Sequence, residues 1–175
     1  MTEILKSQAD RINSKVSLKC SSESFGIVIS EDVVEHVEQP EAVLEECKRV
    51  LKKGGAMCIS FGPLYYSPWG AHLYDYINFP WPQLLFSQET LIDVVRHLPS
   101  QPHIFSHQYA IERLRGLNKI TLRKFSSIVE RLDMKVIYWE VHRKTHIWRI
   151  PVLRLSHTPV IGNLFIGGIT CILEK

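Results

Sequence analysis

The chain has 175 residues, of which 45% are apolar and 22% are charged, a composition typical of a globular protein with a substantial core. The net charge of +3 is too small to indicate nucleic-acid binding by itself. No apolar run reaches membrane-spanning length, and the polar first residues do not form a signal peptide. We therefore expect one cytoplasmic domain over residues 1–175.

The four cysteines of the chain lie far apart and form no C-x-x-C pair. Three of them stand in apolar segments, which favours buried free thiols over disulfide bonds or a metal site. This cysteine usage suits a reducing compartment. The cysteines are Cys20, Cys47, Cys58 and Cys171.

The stretch from Phe25 to Gly62 predicts a strand, a helix and a second strand. Residues 25–30 form a short apolar run, typical of a strand covered on both faces. Pro40 suits the first turn of a helix, whose apolar residues recur at helical spacing until the pair Gly54-Gly55. Residues 56–61 form the second strand, so the unit predicts a right-handed βαβ crossover in a parallel sheet.

Polar residues follow the first predicted strand where it ends. Ser30, Glu31 and Asp32 stand at this tip, and Glu35 and His36 come close behind. Ligands of open α/β sheets bind outside the carboxyl ends of the strands. Because the second strand would end beside this tip, we expect the functional site there.

Three strings in the chain point to a known family. They are SEDVVEHV at residues 30–37, PEAVLEECKRVLKKGG at residues 40–55, and LNKITLRKF at residues 117–125. In this order they closely resemble the second half of class I S-adenosylmethionine-dependent methyltransferases, in particular the small-molecule group called type 11. The matches cover most of residues 16–62 and 117–141.

The resemblance implies an α/β fold with a partial Rossmann-like sheet, helices on both faces and an antiparallel last strand. It starts near the family's third strand, and the chain has no G-x-G-x-G string for the cofactor turn. With these first strands missing, the strand at residues 25–30 becomes an exposed apolar edge. Either the chain is an N-terminally incomplete methyltransferase domain, or a second chain pairs with this edge strand.

The resemblance also implies the cofactor, S-adenosylmethionine. Its methionine end would lie at the strand tip, where carboxylates could offset the sulfonium and ammonium charges. The adenine contacts would fall at Ser14 and Lys15, which depart from the family's pattern of an acid and a small residue. The expected cofactor-binding residues are Ser30, Glu31 and Asp32.

His36 is the best-placed titratable group for a catalytic general base, which an acceptor hydroxyl or acidic carbon would need. The alternative is a residue at a helix start that is bonded to a nearby carbonyl.

Two histidine pairs, His103 with His107 and His142 with His146, are spaced four residues apart. Neither pair is placed on a helix with a third ligand, so we expect no metal site.

Residues 63–86 are rich in aromatic residues and prolines, which argues against regular structure. They open the region 63–118, which we expect to be an aromatic insertion or lid within the domain. This region leaves from the active end of the sheet, so its rings could form a wall for an apolar or planar acceptor. The alternative is a satellite core under a long loop. The candidate substrate-binding residues are Tyr65, Tyr66, Trp69 and His72.

The remaining elements follow from caps, periodicity and stop signals. They are helices over residues 88–98 (capped by Ser87), 111–117 and from Thr121, and strands over residues 135–141 and 165–173. Residues 142–157 are basic and contain no acid. They indicate a solvated loop, or else a contact with an anionic substrate or a phospholipid surface.

Three functions remain open at this point. The first is a methyltransferase for a small acceptor, incomplete or partner-dependent as this chain. The second is a non-catalytic, methyltransferase-like module that binds another protein through its edge strand and aromatic region. The third is a lipid or quinone methyltransferase that contacts the membrane surface through the basic segment. We expect no nucleic-acid partner.

Overall fold

The computed structural model describes residues 17–99, 106–147, 149–152, 157–158 and 161–175. The strands are β1 (Phe25–Glu31), β2 (Leu51–Phe61), β3 (Lys135–Arg143), β4 (His146–Ile147), β5 (Ile150–Pro151) and β6 (Ile166–Glu174). The helices are α1 (Pro40–Val50), α2 (Pro82–Leu85), α3 (Gln88–His97), α4 (His107–Arg115) and α5 (Leu122–Leu132). Short 3-10 helices span Val34–His36 and Gly162–Phe165.

The main sheet has four strands in the order β1-β2-β6-β3, and β4 pairs with β5 separately. Strand β1 is parallel to β2, whereas β6 runs antiparallel to both of its neighbours, β2 and β3. The predicted fold class is confirmed: the chain is α/β, with a partial sheet whose last strand is antiparallel.

The predicted strand–helix–strand unit is formed by β1, α1 and β2, with Pro40 in the first turn of α1. Strand β2 begins at Leu51, directly after the helix, rather than at residue 56. The reason is that Leu51 already pairs with Phe25. The register of the β1–β2 pair then shifts between Phe25 and Ile27, so that Ile27 pairs with Ala56. Gly54 has a φ of 72°, the left-handed conformation expected of a glycine at this turn, although it lies within the strand.

The helices after β2 begin at capping hydroxyls. Ser87 and Thr121 each accept a hydrogen bond from the N–H three residues further on, as predicted for α3 and α5. Ser106 caps α4 in the same way, so this helix begins at His107 and not at residue 111. The short helix α2 lies where the prolines predicted no regular element, because Pro82 occupies its tolerant first turn.

Helices α1 and α5 pack on the same face of the sheet and share one hydrophobic core with it. Alternate residues of β2 and β6 enter this core because side chains of a strand alternate between its faces. These strand residues are Met57, Ile59, Phe61, Ile169, Cys171 and Leu173, and the helices contribute Leu44, Cys47, Phe125, Ile128, Val129 and Leu132.

The opposite side of β1 is exposed in the described part of the chain. Ile27 and Ile29 are 61% and 63% exposed, so the prediction of a strand covered on both faces is wrong. Among the described residues, strand β1 has a hydrogen-bonded neighbour on one side only. The expectation of an exposed apolar edge is therefore met. The described helices that pack on the sheet share one core on one face of it, so the expectation of helices on both faces is wrong for this part of the chain.

A second hydrophobic cluster joins α3 and α4 to the start of the aromatic region. Ala71 and Leu73 are buried there between helix residues, and Tyr65 and Tyr76 pack partly against them. This part of the region is thus a satellite core, one of the two alternatives left open by the sequence. None of the helices in the described residues is long and apolar enough for a membrane crossing.

Candidate functional site

A cleft of about 650 Å³ opens where β1 and β2 end. Asp32 lies on one side of it, Gly62 and Pro63 form its floor, and Trp69 and Tyr74 add aromatic walls. The end of β3 and the start of β6 close the remaining side. We call this site the strand-end cleft, and it lies at the carboxyl ends of the parallel strands, as the sheet topology predicts.

The predicted cofactor residues occupy the tip of β1. Ser30 pairs with Ile59 of β2 and is half-buried, while Glu31 is the last residue of the strand and is exposed. Asp32 turns away from the strand with a φ of 49°, and its N–H donates to the carbonyl of Ser60 at 2.9 Å. Of these three residues, Asp32 is the one that lines the strand-end cleft.

Gly62 connects the floor of the cleft to a buried acid. Its N–H donates to Glu35 Oε1 at 3.2 Å. Its φ of 155° lies in the range that favours glycine, and a Cβ here would lie 2.9 Å from the Gly168 Cα and closer still to the Gly167 carbonyl. A side chain at this position would therefore separate β2 from β6.

Glu35 is a buried carboxylic acid, with only 2% of its surface exposed. Burial raises its pKa to about 7, and the nearby charge of Asp32 adds to the increase. One oxygen accepts from Gly62, but the other, Oε2, has no hydrogen-bond partner in the part of the chain that the structure describes. An unpaired buried polar atom is costly, so Glu35 needs an explanation beyond packing.

His72 and His36 meet beside this acid. The two rings lie edge to face, with their centroids 5.1 Å apart. His72 is 2% exposed, and its Nε2 lies 2.8 Å from the carbonyl oxygen of Pro63. Burial lowers the pKa of His72 to about 4, so its ring is neutral. One ligand atom from each of Glu35, His36 and His72 lies within 4.8 Å of the other two.

The turn that carries Glu35 and His36 is fixed by Asn118, which precedes α5. The Asn118 side chain donates to the carbonyls of Val34 and Val37, each at 2.7 Å. Its backbone N–H donates to the Glu35 carbonyl at 2.9 Å. Because one residue holds three carbonyls of a short turn, the position of Glu35 and His36 is well defined.

Arg113 of α4 brings a positive charge close to the same cluster. Its Nη2 lies 3.5 Å from His72 Nδ1 and 3.2 Å from the Tyr74 hydroxyl. Its Nη1 lies 3.9 Å from a carboxylate oxygen of Asp75. Arg113 lowers the pKa of Glu35 slightly, against the larger effect of burial.

The predicted substrate residues are separated by the structure. Trp69 lines the strand-end cleft. The rings of Tyr65 and Tyr66 meet edge to face, with their centroids 5.2 Å apart. The Lys119 ammonium nitrogen lies 5.1 Å from the centroid of the Tyr65 ring. His72 is buried and bonded to Pro63, which lines the cleft. The cleft also has a residue that the prediction left out, Tyr74.

The far side of the cleft is basic. His142, Arg143 and Lys144 line it at the end of β3, and the Lys144 ammonium lies 5.9 Å from the centroid of the Trp69 ring. This side is the beginning of the basic segment 142–157. Further along that segment, β4 and β5 are formed by His146–Ile147 and Ile150–Pro151. Of the pair His103 and His107, only His107 lies in the described residues.

Sequence reasoning missed Asn118 and Arg113 as site residues, and it named Glu35 near the strand tip without giving it a role. The signal for Glu35 was available, because an acid stands between apolar residues in VVEHV. Asn118 lies within the string at residues 117–125, but its partners are more than 80 residues away. No local pattern indicates such a contact, and the same holds for Arg113.

The comparisons agree with the motifs. Residues 4–59 match the model of a family described as a methyltransferase domain, which confirms the resemblance to class I S-adenosylmethionine-dependent methyltransferases. No curated protein matches the chain.

Three solved structures are similar to the chain. An S-adenosylmethionine-dependent methyltransferase from Thermotoga maritima is 17% identical, with a TM-score of 0.48, over 91% of this chain and 60% of that protein. One from Methanosarcina mazei is 13% identical, with a TM-score of 0.48, over 99% of this chain and 76% of that protein. Phosphoethanolamine N-methyltransferase 2 from Haemonchus contortus is 14% identical, with a TM-score of 0.45, over 90% of this chain and 35% of that protein. The chain thus spans less than two thirds of the length of the first and third of these proteins, 60% and 35% respectively.

Proposed function

We propose that the chain is an S-adenosylmethionine-dependent methyltransferase for a small acceptor, and that its activity depends on a partner chain or on further sequence. The single observation that supports this most is the strand-end cleft, which lies beside the acidic tip of β1 in the segment that matches the methyltransferase family. Methyl transfer needs alignment of acceptor and donor more than covalent help from side chains. A rigid cleft between strand ends suits that task.

The residues at the strand tip fit one end of the cofactor. Glu31 and Asp32 place two carboxylates where the sulfonium and ammonium groups would lie, and Ser30 adds a hydroxyl. When bound, the cofactor supplies the methyl group. The residues expected at the adenine, Ser14 and Lys15, fall outside the described residues. A partner chain beside β1 could provide the missing contacts.

The acceptor would occupy the strand-end cleft. Trp69 and Tyr74 suit a planar, largely apolar molecule. Arg143 and Lys144 would favour an acceptor that also carries an acidic group. His36 stays the predicted general base.

A cytoplasmic location stays part of the proposal. Two of the four thiols, Cys47 and Cys171, are buried and free, which suits a reducing compartment.

Calorimetric titration with S-adenosylmethionine and S-adenosylhomocysteine tests this proposal, with the oligomeric state of the same samples recorded. We expect Asp32→Asn to weaken S-adenosylmethionine binding about tenfold or more, because charge-assisted bonds contribute about 1.5–3 kcal/mol. The effect on S-adenosylhomocysteine should be smaller, since its sulfur is uncharged. The matched control Glu38→Gln, an exposed acid on the next turn, should bind like the native chain.

The alternative is a non-catalytic module that binds another protein. The exposed side chains of Ile27 and Ile29 on an edge strand favour it. A folded chain that binds neither ligand in any oligomeric state would reject the methyltransferase proposal and leave this alternative.

A further inference from the structure

We propose that Glu35, His36 and His72 form a binding site for a divalent first-row transition-metal ion. The inference concerns metal binding by the chain itself and does not depend on whether S-adenosylmethionine binds. It also gives His36 a role other than the general base that the sequence predicts, because an imidazole nitrogen bound to a metal cannot accept a proton.

The first support is the distance between the three side chains. One ligand atom of each lies within 4.8 Å of the others. Metal–ligand bonds to nitrogen and oxygen are about 2.0–2.2 Å, so tetrahedrally arranged ligands of one ion lie roughly 3.3–3.6 Å apart. Side-chain rotations that bring the ligand atoms closer by at most about 1.5 Å therefore complete the set.

The second support is the tautomer of His72. A carbonyl oxygen can only accept, so the Nε2 that lies 2.8 Å from the Pro63 carbonyl carries the proton. The lone pair is then on Nδ1. Histidine ligands of metals usually donate their other N–H to a backbone carbonyl or carboxylate, which fixes the orientation of the ring. His72 has this arrangement.

The third support is the unsatisfied oxygen of Glu35. Its Oε1 is held by the Gly62 N–H, while Oε2 is buried and has no hydrogen-bond partner among the described residues. A bound cation would satisfy this oxygen. It would also offset the charge of Asp32, which lies close enough to raise the pKa of Glu35.

The cluster is held from two directions. Asn118 fixes the turn of Glu35 and His36 through carbonyls of that turn, and Pro63 orients His72. Arg113 is the competing cation, at 3.5 Å from His72 Nδ1. It also contacts Asp75 and Tyr74, so it can give up the long bond to His72 and keep these two partners.

The ligand set indicates the class of metal. Two imidazoles favour first-row transition metals over Mg²⁺ and Ca²⁺, which prefer oxygen, and one carboxylate suits Mn²⁺, Fe²⁺, Co²⁺ or Zn²⁺. Gly62 and Pro63, which contact the cluster, also form the floor of the strand-end cleft. The ion would therefore lie next to the acceptor, a point that rests on the proposed function.

Titration of the chain with Co²⁺, followed by visible absorption, tests the site. We expect saturation at one equivalent. Glu35→Gln and His72→Asn should each weaken binding by more than about 100-fold, because even residues that only support a metal ligand contribute about 10–100-fold. The controls are Glu45→Gln and His97→Asn, exposed residues of α1 and α3, which should bind as the native chain does.

A second measurement uses the native chain alone and does not depend on the folding of variants. Substoichiometric Mn²⁺ should broaden the imidazole NMR signals of His36 and His72 and spare that of His97. The proposal is overturned if the native chain binds Co²⁺ no more tightly than the Glu35 and His72 variants do. It is equally overturned if Mn²⁺ leaves the signals of His36 and His72 sharp.

Discussion

Gly62 determines the geometry of the site more than any charged residue does. It lets β2 pass close to β6, and its N–H holds Glu35 in place. Both roles depend on the same backbone conformation, with a φ of 155°. A single glycine thus connects the packing of the sheet to the position of a buried acid.

We predict that Gly62→Ala destabilises the chain by about 2–3 kcal/mol or more, since overpacking alone costs about 1–3 kcal/mol and the backbone conformation adds strain. The added methyl would contact the backbone of Gly167 and Gly168. Urea denaturation measures the loss. The matched control is Gly26→Ala in β1, where a Cβ meets nothing within 4 Å. Equal stability of the two variants would contradict this account of Gly62.

The sequence predicts which residues stand at the strand tip but not which of them turns inward. Asp32 and Glu35 are both acids near the end of β1, yet one lines the cleft and the other is buried. The difference arises from partners that lie far along the chain, Gly62 and Asn118. Short-range patterns do not contain this information.

Helix α1 is tied to the segment before β1 through Glu46. Its carboxylate accepts from the Leu18 N–H at 2.6 Å and from two nitrogens of Arg49, each at 2.7 Å. The hydrogen bond from Arg49 is the main cause of a lowered pKa at Glu46. Arg49 in turn donates to the carbonyl of Cys20 at 2.8 Å. The pair therefore holds a segment with little regular structure of its own.

We predict that Glu46→Gln lowers the free energy of unfolding by about 1–2 kcal/mol at neutral pH, a modest amount because Arg49 is partly exposed. A lowered pKa in the folded state stabilises the fold above the unfolded pKa of about 4.3 and ceases to do so as pH falls through the folded value. The difference between native and variant chains should therefore shrink below about pH 4. Denaturation at several pH values measures it.

The neighbouring exposed acid provides the control for this experiment. Glu45→Gln removes a carboxylate from the same helix, but its side chain is exposed. It should leave stability nearly unchanged at every pH. A Glu46 variant that loses stability equally at pH 3 and pH 7 would show that packing, not the ion pair, is responsible.

The helices and strands themselves could largely be predicted. Caps at Ser87 and Thr121 act locally, and the structure has them where the patterns indicate. Gly54 has the predicted left-handed conformation, but it lies within β2 and not at the end of α1. The errors fall where distant contacts extend an element. Strand β2 starts earlier than predicted because Leu51 pairs with Phe25, which no local pattern contains.

Among the described residues, helices cover one face of the main sheet and β1 forms its exposed edge. The exposed edge was predicted, because a resemblance that starts near the family's third strand leaves this side of β1 without a neighbour. The aromatic region could not be divided between cleft and satellite core in advance. Its division depends on α3 and α4, which bury Leu73 but leave Trp69 at the cleft.

We predict that a second chain pairs with β1, and that the purified chain self-associates through this edge. Replacing both Ile27 and Ile29 by lysine should raise the dimer dissociation constant more than about tenfold, because charges on an edge strand oppose pairing. Analytical ultracentrifugation measures it. Ile150→Lys is the control, since this isoleucine of β5 is 62% exposed but lies outside the main sheet. A chain that stays monomeric at all concentrations would contradict self-association.

We place the ligand site at the carboxyl ends of β1 and β2. Amide NMR shifts of the isotope-labelled chain, titrated with S-adenosylhomocysteine, test it most directly. We expect the largest amide shifts at residues 30–36 and 60–63, and we expect them to saturate as ligand is added. Saturable shifts confined to other residues, such as those of β4 and β5, or no shifts in the folded chain, would contradict it.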